Sequence, residues 1–218
     1  MPEHFIDFEN TVTALLSGRV ICAISHEEEH SYLRDERRFE DVDFYLHRMG
    51  RRVRRTSDGQ GFYLVYNALD NGHQKEVQQH FNTFAGKLDG LIAWLRLSRG
   101  VMGEAKPMEY GEVIRESELL GAIEESAPLE AQLSVVAQKL NPNSSKQNAK
   151  GKLSSVLNYL RDEQFLVLTG GRAGTVYRAT AKWSLLYEQL NFIRQHDGLL
   201  ISEVPVEVGD EKQMGFEL

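Results

Sequence analysis

The sequence predicts an α+β fold, mainly helical, in which two tandem units each run from helices into a short β-hairpin. Three observations carry this. Phe39, Val42, Leu46 and Met49 recur at steps of three and four, the mark of one buried helical face. Gly50 then stops that helix, and a hairpin pattern follows over residues 52–55, the turn Ser57-Asp58-Gly59-Gln60-Gly61 and residues 62–66. The same order returns downstream: the stripe Leu153, Val156, Leu157 and Leu160, a strand over 165–168, a glycine-rich tip over 169–174 and a strand over 175–178. Helices feeding a hairpin "wing" describe tandem winged-helix domains. Such modules bind nucleic acid or protein far more often than they carry out chemistry.

Each element follows in order. Residues 1–17 read as a lead-in and first helix with Val12, Leu15 and Leu16 apolar, ended by Gly18. The β-branched run at 19–24 suits a short strand. Ser25 is placed as an N-cap with Glu28 completing a capping box, and Glu27, Glu28 and Glu29 favour a helix N-terminus. In the first wing Phe62, Leu64 and Tyr66 alternate with Tyr63 and Val65, so one face buries and the other stays accessible. Residues 67–72 form a turn-rich joint. From 73 to 99 Val77, Phe81, Phe84, Leu88, Leu91 and Leu95 keep a seven-residue repeat, interrupted by Gly86 and Gly90. That helix either packs in a core or pairs with a second copy. A linker at 100–107 leads to helices over 110–125 and 129–140, the latter with Leu129, Leu133, Val136 and Leu140 on one side. Asn141-Pro142-Asn143-Ser144-Ser145 is a strong break. Trp183, Leu186, Leu190 and Ile193 mark a closing helix. The expected organisation is an N-terminal domain at 1–72, a C-terminal domain at 73–196 including the long helix, and an acidic tail at 197–218.

Composition bounds the function. The chain has 218 residues, 26% charged, with a mean hydropathy of −0.40, values of a soluble globular protein able to bury one or two cores. No apolar run reaches the roughly 20 residues that span a bilayer, and the first residues lack the basic and apolar blocks of a signal peptide. The single cysteine, Cys22, lies in an apolar run and reads as a buried thiol of a reducing compartment, which points to the cytoplasm. Net charge is −7, yet its distribution is uneven. Arg48, Arg51, Arg52, Arg54 and Arg55 fall where helix meets wing, and Lys146, Lys150, Lys152 and Arg172 gather in the second unit, whereas the tail holds six carboxylates and one lysine. Local field governs attraction to phosphates, so these residues are the candidate nucleic-acid contacts. Because they lie beyond the apolar stripe, reversing Arg51, Arg52, Arg54 and Arg55 together is expected to leave folding largely intact.

Candidate chemistry is sparse. His26-Glu27-Glu28-Glu29-His30 satisfies H-E-x-x-H, the spacing with which zinc peptidases hold a metal on two histidines one helical turn apart. Its place at a helix start, with His47, His73 and His80 on other patterns, argues for a charged first turn and no metal. The sequence has no G-x-x-x-x-G-K-[ST] loop, and the glycines at 170–174 sit in a hairpin and do not follow G-x-G-x-x-G. Cys22 has no neighbouring base before His26, and no Cys/His set fits a zinc finger. No cofactor is expected, and the chain reads as a binding protein, not an enzyme.

Particular stretches resemble a known family. Leu15-Leu16-Ser17-Gly18-Arg19, Tyr32-Leu33, residues 37–50 running into 51–55, and Gly61-Phe62-Tyr63-Leu64 resemble the MukE/MksE subunits of bacterial condensins, the small "kite" proteins of SMC complexes. The likeness continues through the 81–99 helix and the run 152–161, and covers roughly residues 12–196. Its first-domain pattern is fairly specific; the second domain matches in the order of elements more than in residues. The shorter chain and tail make MksE the better label. The resemblance implies a non-enzymatic, nucleoid-associated accessory subunit. It implies a homodimer of tandem winged helices that binds the middle of a kleisin (MukF or MksF) and joins an SMC ATPase. The assembly would organise chromosomes or act against plasmids, and the basic surfaces would hold DNA without reading sequence. The repeat Val77, Phe81, Phe84, Leu88, Leu91 and Leu95 is then the candidate dimer or partner interface. The competing expectation is a DNA-binding transcriptional regulator, with Gln147 and Asn148 near the start of a recognition helix.

Overall fold

A computed structural model of the chain describes residues 3–68, 74–102, 108–141, 148–170 and 174–200. The elements run α1 (Glu3–Leu16), β1 (Ile21–Cys22), α2 (Glu27–Arg34), α3 (Glu36–His47), β2 (Arg51–Arg55) and β3 (Gly61–Tyr66). Then follow α4 (Gln74–Met102), β4 (Val113–Arg115), α5 (Glu116–Glu124), α6 (Ala127–Leu140), α7 (Ala149–Asp162), β5 (Leu166–Thr169), β6 (Val176–Ala179) and α8 (Lys182–Leu200). The fold is mixed α+β and mainly helical, with two small antiparallel sheets ordered β1-β3-β2 and β4-β6-β5. In each sheet the second hairpin strand is central, and a short strand from before the helices closes its far side.

The helix stops follow the glycines: Gly18 and Gly50 sit at φ of 73° and 70°, where a side chain would be strained. Other local expectations need correction. The capping box at Ser25 does not form. His26 occupies the N-cap of α2 with no side-chain hydrogen bond to it, and the Ser25 hydroxyl donates to the Val20 carbonyl at 3.2 Å. The capped start comes one helix later, where Asp35 accepts the Arg38 amide at 3.1 Å and opens α3. Met49 lies past the end of α3 and is 41% exposed, so the buried stripe is Phe39, Val42 and Leu46 alone. Strand β4 falls in the stretch read as the start of a helix at 110; its three residues are held by backbone pairing to β6. Helix α8 also takes in residues 197–200, the beginning of the tail, while the rest of the tail lies outside the described residues.

Apolar burial is organised in three clusters. Leu15, Ile21, Leu33, Val42, Leu46 and Phe62 centre the first, between α1–α3 and the inner face of the first sheet. Trp94, Leu97, Ile114, Val136, Leu157 and Trp183 centre the second and larger one. A small third cluster, Val20, Cys22 and Ala181 with Tyr63, Tyr110 and Leu185 around it, joins the first sheet to the start of α8. Within the second cluster α4 lies along α6. At Gly90 an added Cβ would run into the Leu140 side chain, so glycine there sets the closeness of the two helices. The heptad stripe serves this contact: Leu91 is 2% exposed, and Phe84, Leu88 and Leu95 pack partly buried against the same core. The side chains of Val77 and Phe81 lie outside the described residues.

Candidate nucleic-acid interface

Strand alternation divides the arginine cluster in two. In β2 Val53 is buried, so Arg51, Val53 and Arg55 point toward the helices while Arg52 and Arg54 point away. The guanidinium of Arg51 lies 3.4 Å from the centre of the Tyr66 ring. That of Arg55 sits 5.0 Å from Phe39 and 5.3 Å from Phe62, closing the edge of the first core by cation–π contact. Arg52 and Arg54 pair across the ladder with Val65 and Tyr63 on the outward face and carry no ion pair among the described residues. Arg48 is exposed at the C-cap of α3. The expectation that all four strand arginines are dispensable for folding is therefore corrected for Arg51 and Arg55, whose stems and charges cover aromatic rings. The sequence held the signal: a single apolar residue centred in Arg-Arg-Val-Arg-Arg fixes the parity of its neighbours.

On the β1 side the same outward face is covered by α8, and the tip of the first hairpin is tied to it. The Ser57 amide donates to Glu188 Oε1 at 2.5 Å, Ser184 Oγ donates to Asp58 Oδ2 at 2.6 Å, and Tyr63 Oη donates to Glu188 Oε2 at 3.4 Å. Burial pushes the Tyr63 hydroxyl up, and the Glu188 charge and hydrogen bond reinforce this against Arg54. Burial also pushes the Asp58 carboxyl up, but hydrogen bonds from Ser184, Thr56 and the Gln60 amide outweigh it and hold the group below its ordinary value. Ser57, Asp58, Glu109, Tyr187, Glu188 and Asn191 line a cleft of about 570 Å³ at this joint. The tip of the first hairpin thus faces acidic side chains and its own chain.

In the second unit Lys150 is exposed on the first turn of α7, and Lys152 donates to Ser134 Oγ at 2.9 Å, so its ammonium is partly engaged. Lys146 and Arg172 lie outside the described residues, as does Gln147. Asn148 caps α7 by accepting the Gly151 amide at 2.9 Å, which uses the group assigned to base recognition in the regulator reading. Arg178, a member of the same basic run as Lys150 and Lys152, and Arg115 stand outside the candidate contacts named from the sequence. The register Val113↔Arg178 and Arg115↔Val176 puts both on the outward face of the second sheet, where Arg115 also pairs with Glu118 at 3.5 Å. Only the pairing with the three-residue β4 brings them together, and that strand carries too little pattern to read.

The two histidines of H-E-x-x-H are used differently from a metal pair. His26 has Nδ1 2.9 Å from Ser25 Oγ and Nε2 3.3 Å from the Arg19 guanidinium, while the His30 ring packs 5.6 Å from Phe62. Burial lowers both pKa values, helped at His26 by Arg19 against Glu29 and at His30 by Arg34. Among the described residues no three His, Cys, Asp or Glu side chains converge to hold an ion. No described helix is long and apolar enough to cross a membrane.

A search of curated proteins finds no match. A comparison with protein families does: the family described as condensin complex protein MksE matches residues 7–191, a span running from within α1 into α8 and taking in both hairpins and the joint between them. This chain belongs to the MksE family of condensin complex proteins, and it is an accessory condensin subunit that works with other subunits of such a complex.

Proposed function

We propose that this chain is the non-enzymatic kite subunit of an MksBEF-like condensin. In this reading it is a homodimer of tandem winged-helix domains, divided near residue 72 and ending in an acidic tail from 197. It binds a kleisin (MksF-like), joins an SMC ATPase (MksB-like) and holds DNA by phosphate contacts, in the cytoplasm at the nucleoid. The work served is chromosome condensation and segregation, or defence against plasmids. Family membership supports the partners, and the order helix, strand, helix, helix, hairpin in the first unit supports the winged-helix assignment. The observation that carries the DNA reading is the pair Arg52 and Arg54, outward and without an ion pair among the described residues. Lys150 and Lys152 extend it, and Arg48, Arg51, Arg55, Lys146 and Arg172 complete the candidate set. A regulator is not favoured, since α3 turns Glu40, Asp41 and an exposed Phe44 outward where base-reading side chains would be needed.

The test is DNA binding by fluorescence anisotropy across a salt series. Arg52→Glu with Arg54→Glu should weaken binding alike on unrelated duplexes and flatten the salt slope by about 0.9 per lost phosphate contact. Folding should stay intact. Arg51→Glu with Arg55→Glu should instead lower the melting temperature, because their ring contacts are lost. Unchanged affinity in the first variant would remove DNA from the reading and leave the kleisin partnership, checked separately by co-purification, untouched.

A further inference from the structure

Helix α3 has two faces with different uses. Phe39, Val42 and Leu46 pack into the first core, and Asp43 Oδ1 accepts the Val53 amide at 2.6 Å. On the opposite side Glu40, Asp41, Phe44, His47 and Arg48 are all exposed, Phe44 to 71%. At 100° per residue these positions fall within about 60° of Phe44 on either side. Arg48, at φ −65° and ψ −18°, keeps the helical course and stays in line with Glu40 and Phe44. Arg37, also exposed, opens this face at the first turn of α3; from there the sequence is two carboxylates, a bare phenyl ring, then an imidazole and a guanidinium.

A face ordered acid, apolar, base is complementary to itself turned end for end. We propose that it docks against the same face of a second copy, two α3 helices lying antiparallel about a two-fold axis near Phe44. The proposal rests on the homodimer reading above and gives that dimer its surface. The two phenyl rings meet at the axis, and Glu40 and Asp41 of each copy lie over His47 and Arg48 of the other, the reciprocity an isologous contact demands. Arg37 lies past the end of the opposing helix. Tyr45, 45% exposed and edge-on to Phe8 of α1 at 5.5 Å, borders the apolar centre on one side. One helix pair covers less than the ~800 Å² per partner of standard stable complexes, so the contact is concentration-dependent.

Sedimentation velocity on the full chain from about 1 to about 100 µM spans the affinity of such a contact. The wild type should shift toward dimer as concentration rises. Arg48→Glu, and separately Glu40→Lys with Asp41→Lys, should each raise the dimer Kd by about tenfold or more, since like charges then face each other. An equimolar mixture of these two variants should recover a heterodimer, and Phe44→Ser should abolish dimer with unchanged far-UV circular dichroism. A wild type that stays monomeric throughout defeats the homodimer reading and this surface with it. A dimer that all three variants leave intact keeps the homodimer and overturns the surface. Failure of the mixture to re-associate overturns it too, as does a loss confined to kleisin binding, which would assign the face to that subunit.

Discussion

One step of strand alternation separates Arg52 and Arg54 from Arg51 and Arg55, and with it surface charge from core closure. Counting arginines locates the cluster; the position of Val53 sorts it. The histidines of the first unit show the opposite situation, in which a motif is legible and its use is not. His26 and His30 match a metal-binding spacing, yet what occupies their rings is set by Arg19, Ser25 and Phe62, and Phe62 comes from a distant strand. Their pKa values are lowered from 6.5 by burial first, which gives stability a definite pH dependence. The unfolded chain takes up these protons before the folded one, so the stability contribution is full above pH 6.5 and is lost as pH falls below it, down to the folded values. Thermal melting followed between about pH 7.5 and 5.5 should show falling stability on acidification. His30→Phe, which keeps a ring against Phe62, should flatten the curve.

At the level of elements, helices and turns were the readable part. The 3.6-residue stripes located α3, α6 and α7, and Gly18 and Gly50 ended helices where a positive φ is required. The seven-residue repeat correctly marked one long helix, α4, but periodicity alone does not say what covers an apolar stripe. Here α6 supplies the cover, through Leu133, Val136 and Leu140. The glycine pair in α4 tests that packing. Gly86 has open space around its Cβ position, whereas Gly90 faces Leu140 and Lys139. Gly90→Leu should destabilise the protein by about 1–3 kcal/mol through overpacking. Gly86→Leu should be neutral or stabilising by up to about 1 kcal/mol through helix propensity. Urea denaturation of the two variants side by side distinguishes a close helix crossing from a merely tolerated glycine. Strand β4 and the α2–α3 break were not readable in this way, since three residues of strand and one Asp35 cap carry almost no periodic signal.

Across the whole molecule, two separate cores are joined by a small apolar cluster and a few polar ties between the first hairpin and α8. No sequence pattern announces Ser57 with Glu188 or Asp58 with Ser184, pairs more than a hundred residues apart. Asp58→Ala removes an acceptor shared by Thr56, Ser184 and the Gln60 amide and should cost the joint about 1–3 kcal/mol. Hydrogen exchange should then quicken at the hairpin tip and the first turn of α8, with the protection of Leu33, Val42, Trp94 and Leu157 kept. Equal loss of protection in both cores would mean that they fold as one inseparable body.

The tightest point of that joint lies where a Cβ built on Gly61 would come 2.7 Å from the Cβ of Ala181. There is no space there for one more methyl group, and the atom in the way is fixed to backbone in the turn leading into α8, a helix that also anchors the second core. Variation at these two sites should therefore be linked in relatives that keep the same seating: a side chain at 61 should require glycine at 181, and a residue larger than alanine at 181 should be tolerated only over glycine at 61. Lineages that break this rule must seat α8 farther from the sheet, and in them the two halves of the subunit will present their outward arginines at a different mutual angle.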